Sequence, residues 1–219
     1  MQRAWPYVLP YTALLVCAEL ARWLPEQWEA PLLLMRVVIP AALLAIAARR
    51  GAFSELRSRA PGWPMDVAAG LGIAALWLAP YLLLPGLPRG EPFDPEALGS
   101  GARPAWLGLR LAGFVLVSPL VEELFVRSFL HRVVECWPDW ERFHERAVAH
   151  PHRLAFLVTV FWFTLSHSPW EWWVAVPWVM LTNLWFYRHR SLVGIMVVHG
   201  TTNAAMPNAE ARAQRIPRR

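Results

Sequence analysis

Seven apolar stretches dominate this chain, near Trp5–Leu24, Leu32–Ala48, Val67–Leu84, Trp106–Leu130, Leu154–His167, Trp172–Tyr187 and Leu192–Met206. A helix of about 20 apolar residues spans the hydrocarbon core of a bilayer, and a helix satisfies its own backbone hydrogen bonds there. Repeated along 219 residues, such stretches leave little room for a soluble domain. Composition agrees: 17% of residues are charged, against about a quarter in soluble domains. The first stretch lacks the short apolar core and small-residue cleavage site of a signal peptide, so it reads as a retained anchor. The expectation is an all-α, polytopic transmembrane bundle of about seven helices, with eight as the alternative. It forms one integral membrane domain over residues 1–219, with a motif-bearing core at about 105–206. The Pro- and Gly-rich piece Leu84–Pro104 is the longest loop candidate.

Arginine sets the orientation, because the chain has no lysine. Arg49, Arg50, Arg57 and Arg59 follow the second stretch; Arg132, Arg142, Arg146 and Arg153 follow the fourth; Arg188 and Arg190 follow the sixth. The positive-inside rule places all three loops on the cytoplasmic side. Seven crossings then leave the basic tail (Arg212, Arg215, Arg218, Arg219) outside; either the tail departs from the rule or the count of crossings is off by one. The pI of about 10.0 is explained by arginines at membrane edges meeting anionic lipid, and it requires no nucleic acid. Trp170, Trp172, Trp173, Trp185 and Tyr187 flank one stretch and read as an interfacial belt. Cys17 and Cys136 fall in different compartments, so no disulfide is expected. His144, His150 and His152 read as solvated loop residues, and Glu19 and Arg22 as interfacial. Glu171 suits a helix N-terminus, and Asn183 a bond to a neighbouring helix.

The stretch Ser118–Arg132 breaks the pattern, for it sets Glu122, Glu123 and Arg127 in an apolar run. Each charge at a bilayer centre costs about 2.5–3.5 kcal/mol on the insertion scale, while a Leu returns only about 0.5. Glu123 and Arg127 are four apart and share a helix face, so they can pair. Glu122 is turned about 100° away and must face something else. Two further constellations join it. Phe163 and His167 are spaced i, i+4 in the fifth stretch, and His199 and Asn203 likewise in the seventh. Imidazole with carboxylate can hold and deprotonate a water. Imidazole and amide N–H groups can donate to a developing oxyanion.

These residues, E-E-x-x-x-R at Glu122–Arg127, F-x-x-x-H at Phe163–His167 and H-x-x-x-N at His199–Asn203, resemble the CAAX prenyl protease and bacteriocin-processing (CPBP, Abi) intramembrane protease family. The likeness covers Glu122 to Asn203, less than half the chain, and is nearest to short bacterial members, some linked with protein-sorting systems. It implies an intramembrane endopeptidase with a site opening toward the cytoplasm. Its substrate would be a membrane-associated or prenylated-like protein or peptide, and its location the bacterial cytoplasmic membrane. The resemblance gives Glu122 and His167 the activation of water and His199 and Asn203 the oxyanion hole. Glu123 and Arg127 are supports, with Phe163 beside them. Members are described both as metal-independent glutamate proteases and as metalloproteases. The expectation is no cofactor, with zinc held by Glu122, His167 and His199 as the alternative. The competing class is a transporter or proton relay using the same Glu and His residues. Against it, the sequence shows no inverted repeat.

Overall fold

The computed structural model describes residues 3–25, 28–57, 62–84, 87 and 103–213. Among them the chain is helical: α1 (Trp5–Trp23), α2 (Glu29–Arg49), α3 (Trp63–Leu83), a long α4 (103–136), α5 (Arg153–Leu165), α6 (Trp172–His189) and α7 (Leu192–Ala213). All seven apolar stretches fold as helices, with ends shifted by a few residues. Most of the loop candidate Leu84–Pro104, and the side chains of the basic tail, lie outside the described residues.

The exterior is far more apolar than that of a water-soluble protein, while several polar side chains are buried within a largely apolar core. Leu34, Met35, Val38 and Ile39 of α2, Leu71 and Leu76 of α3, Leu157 and Phe161 of α5, and Leu184 of α6 all face outward. Glu123, Arg127, Thr159, Thr182, Asn183 and Thr202 are buried. Apolar surface this extensive is costly in water but is at no disadvantage against lipid tails. By length and composition, α2 and α3 suffice to cross a membrane. α1, α4 and α6 carry more polar or indole side chains, and α5 is short.

Helix α4 is the axis, and α1, α2, α5 and α7 pack against it. α3 runs along α7, and α5 along α6. Small residues allow the closest approaches, as expected where packing rather than hydrophobicity joins helices. A Cβ on Gly70 of α3 would come within 2.7 Å of the Val198 carbonyl oxygen, and one on Gly200 of α7 within 2.7 Å of the Val115 carbonyl oxygen.

Two π-helical turns interrupt α4, at Gly113–Val117 and Leu124–Leu130. The first follows from sequence. Ser118 N–H reaches back five residues to the Gly113 carbonyl, and Pro119 has no N–H to offer. The Phe114 carbonyl thus loses its helical donor, and the side chain of Asn203 replaces it at 2.8 Å. The segment between the two turns holds Glu122 and Glu123.

The three arginine-bearing loops meet at one end of the bundle. Arg3 donates to His144 at 2.8 Å, Tyr7 donates to Glu55 at 2.8 Å, and His131 meets the Tyr187 hydroxyl at 2.7 Å. Arg132, read from sequence as a loop residue, is buried there; its guanidinium bonds Glu55 at 3.1 Å and Ser128 Oγ at 2.5 Å and lies over Phe143. The loop histidines His144 and His150 are exposed, as expected, and each of the three also has a partner. His152 accepts the Ala155 N–H and caps α5, while His150 lies 3.5 Å from Glu135. Half-buried Trp185, read as a belt residue, also donates to buried Asp66 at 2.9 Å. Cys17 and Cys136 are free thiols.

Candidate active site

The buried pair in the middle of α4 organises the site. Glu123 and Arg127 have no exposed side-chain surface and bond each other across one helical turn. One guanidinium cannot be left with empty donors in such a place. Arg127 also donates to Thr182 Oγ1 at 2.6 Å and to Asn183 Oδ1 at 3.2 Å, and it lies 5.8 Å from the Trp178 ring centroid. Asn183 is oriented in turn by donating to Thr159 of α5 at 3.0 Å. Asn183 therefore bonds neighbouring helices, as expected, and is part of the arginine's cradle. Trp178 and Thr182, which the sequence reading passed over, complete that cradle. Their only signal is the α6 register, which puts residues four apart on one face.

The other oxygen of Glu123 meets α7. His199 Nδ1 lies 2.8 Å from Glu123 Oε1, and His199 Nε2 lies 3.9 Å from Glu122 Oε2. One imidazole thus bridges the adjacent carboxylates that the helix turns apart. An ionised Glu123 only accepts, so Nδ1 carries a proton. The imidazole packs edge-on to Trp178, centroids 4.7 Å apart, and 6.0 Å from Phe163. Glu122 differs from its neighbour in exposure: its side chain is 16% open where that of Glu123 is closed. It alone of the two can meet water and substrate. Its other oxygen accepts from Ser118 Oγ, one turn earlier.

His167 sits just beyond the end of α5. Its Nδ1 lies 2.8 Å from the Phe163 carbonyl oxygen, an acceptor, so Nδ1 bears the proton and Nε2 is left with its lone pair. Phe163 stacks beside it, centroids 4.5 Å apart, and against Trp178 on the other side at 4.8 Å. The loop beyond is closed by Ser168 and Glu171, whose carboxylate accepts the Ser168 N–H at 3.1 Å and caps the next helix. Asn203 gives one amide N–H to Phe114 O, which leaves its second N–H to donate.

Glu122, Glu123, Arg127, Phe163 and His199 are therefore joined through one contact network, His167 reaches it through Phe163, and Asn203 stands one helical turn after His199 with its own bond to Phe114 O. Three neighbours were not anticipated: Ser118, Tyr11 and Arg36. Arg36 shares an α2 stripe with buried Leu32 and Pro40, yet its own side chain is open, and it interacts electrostatically with Glu122 and with Arg22. A lone arginine inside the second apolar stretch was the signal for it. Among the described residues no three His, Cys, Asp or Glu side chains converge as a metal-ligand set. The zinc set Glu122, His167 and His199 is not gathered in this geometry.

A comparison with family models matches residues 104–205 to the family described as type II CAAX prenyl endopeptidase Rce1-like. The match covers just under half of the chain. That family is one of CAAX-type endopeptidases, and it is this segment of the chain that is similar to it. The Rce1-like region takes in α4 to α7 up to residue 205, and so every residue of the three motifs. Neither a comparison with curated proteins nor one with solved structures gave a match.

Proposed function

We propose that the chain is an intramembrane endopeptidase of glutamate type that cleaves a peptide bond of a membrane-associated or prenylated-like protein, in a bacterial cytoplasmic membrane. The observation that carries this reading is the His199 bridge between Glu122 and Glu123. It sets a carboxylate open to water beside an imidazole whose opposite nitrogen is anchored on a closed carboxylate.

In the reaction, a water is held between Glu122 and the His167 Nε2 lone pair. Glu122 takes one proton as the water oxygen bonds to the scissile carbonyl carbon. The carbonyl oxygen becomes an oxyanion. His199 Nε2–H and the second Asn203 N–H donate to it. Nδ1 of His199 already bears a proton, so donation from Nε2 requires the imidazolium. Glu123 is the counter-ion that makes this form accessible, and Arg127 keeps Glu123 ionised and fixed. The C–N bond then breaks, and Glu122 returns its proton to the leaving amine. The products are a carboxylic acid, which keeps the second water proton, and an amine; passage of that proton to the amine leaves carboxylate and ammonium, and atoms and charge balance.

A membrane-inserted peptide incubated with the protein in proteoliposomes tests the reading. Cleavage without any ion gradient is the expected result. Gradient-coupled ion flux without cleavage would assign the same residues to transport. The bundle end carrying Arg3, Arg49, Arg50 and Arg142 is proposed to meet anionic lipid at the cytoplasmic face.

A further inference from the structure

We infer that Pro119 of α4 is a positioning residue for the Asn203 amide, an inference that rests on the peptidase reading above. A proline inside a helix withholds one N–H, and its ring crowds the carbonyl four residues earlier. Ahead of Pro119 the ladder runs from i to i−5, with Ser118 N–H on the Gly113 carbonyl. The next N–H in that series would belong to residue 119 and would meet the Phe114 carbonyl. Proline supplies none. The crowded carbonyl is that of Val115. Pro119 therefore turns two consecutive carbonyls out of the ladder, and a neighbouring helix must receive them.

Helix α7 receives both. Asn203 Nδ2 donates to Phe114 O at 2.8 Å, and its side chain makes no other hydrogen bond among the described residues. The Val115 carbonyl oxygen approaches Gly200 so closely that a Cβ there would stand 2.7 Å from it. Glycine at this position thus sets how near α7 comes to α4. His199, Gly200 and Asn203 share about one turn of α7, and His199 is held at 2.8 Å by Glu123. An amide is planar, so anchoring one Asn203 N–H on Phe114 O fixes the direction of the other. That second N–H is the one the reaction uses. A carbonyl drawn into the ladder points along the helix axis, whereas Asn203 reaches it from a separate helix. A backbone N–H at residue 119 would therefore claim Phe114 O for the ladder and release the amide. Its second N–H would then turn away from the oxyanion.

Pro119→Ala restores the N–H and removes the ring. Expected is a fall in kcat of about 10²-fold with KM unchanged, the lower end of what losing one oxyanion donor costs. The thermal midpoint should not fall, because alanine is the best helix former and proline the worst. The double variant Pro119→Ala with Asn203→Ala should be no slower than Asn203→Ala alone, since the amide being positioned is gone. Wild-type kcat in Pro119→Ala, or effects that multiply in the double variant, overturns the inference. A second readout is independent of turnover: side-chain amide spectra of ¹⁵N-asparagine protein in nanodiscs. The chain has three asparagines, and Asn203→Ala identifies the Asn203 signals. These should shift in Pro119→Ala, while those of Asn183, which donates to Thr159 at 3.0 Å, stay in place. Unshifted Asn203 signals, whatever the midpoint, leave the proline a merely structural role and overturn the inference. If wild-type protein cleaves no peptide while the Asn203 signals shift, the peptidase reading fails and the coupling stands.

Discussion

Removing the arginine beneath the site gives the sharpest test of how the bundle tolerates charge. In Arg127→Met the chain keeps most of the side-chain volume and loses the guanidinium. The loss exposes three acceptors: Glu123 Oε2, Thr182 Oγ1 and Asn183 Oδ1. Thr182 is rescued in part, since its hydroxyl already donates to the Trp178 and Val179 carbonyls. Glu123 is not rescued. It stays fully buried, with only His199 beside it. Breaking a buried pair on one side costs about 3–5 kcal/mol. At about 2–4 °C per kcal/mol for a chain of this size, the midpoint should fall by roughly 6–20 °C. Removing the stranded charge as well, in Glu123→Gln with Arg127→Met, should restore much of the loss. Activity should stay low in the double variant, because His199 has lost its counter-ion. The assay is thermal unfolding of single and double variants in one detergent. A wild-type midpoint for Arg127→Met, or a double variant less stable than either single one, refutes the reasoning.

Other outcomes are equally specific. Asn203→Ala should lower kcat by about 10²–10³-fold and leave measurable turnover, since one oxyanion donor is lost and His199 remains; steady-state kinetics checks it. Gly70→Ala should destabilise by about 1–3 kcal/mol, because the new Cβ meets a backbone carbonyl oxygen that has no room to retreat; thermal unfolding measures it. In the loop, burial and then Arg3 hold His144 below its ordinary pKa. The unfolded chain therefore binds the extra proton, so stability is full above about pH 6.5 and declines as pH falls below it. His144→Gln should flatten the midpoint between pH 7.5 and 5.5. Cysteines placed at Ser54 and Ala147, in a background lacking Cys17 and Cys136, should resist an impermeant reagent in intact cells, and labelling of both would reverse the orientation.

The helices were legible because a bilayer demands long apolar runs, and these show directly in the sequence. The Glu123–Arg127 pair was legible for a local reason, its i, i+4 spacing. The facing of Glu122 away from Glu123 followed from the same helical geometry. What could not be read was contact between helices. Nothing in the sequence distances joins Glu55 to Arg132, so Arg132 was taken for a loop cation when it plugs one end of the bundle. The partners of Trp185, His150 and His144 were hidden for the same reason: Asp66, Glu135 and Arg3 lie far off in sequence. The π turn at Gly113–Val117 is an intermediate case. Pro119 hinted at a loosened ladder, but which carbonyl was released, and that Asn203 would take it, required the register of α7 against α4.

The central claim is that Glu122 deprotonates a water that attacks a peptide carbonyl. One measurement reaches it directly: mass spectrometry of a membrane-inserted peptide cleaved in proteoliposomes in ¹⁸O-labelled water, by wild type and by Glu122→Gln. The account predicts one ¹⁸O atom in the newly formed carboxylate with wild type and no product with the variant, although the variant is folded. Product formed by Glu122→Gln at the wild-type rate would contradict it.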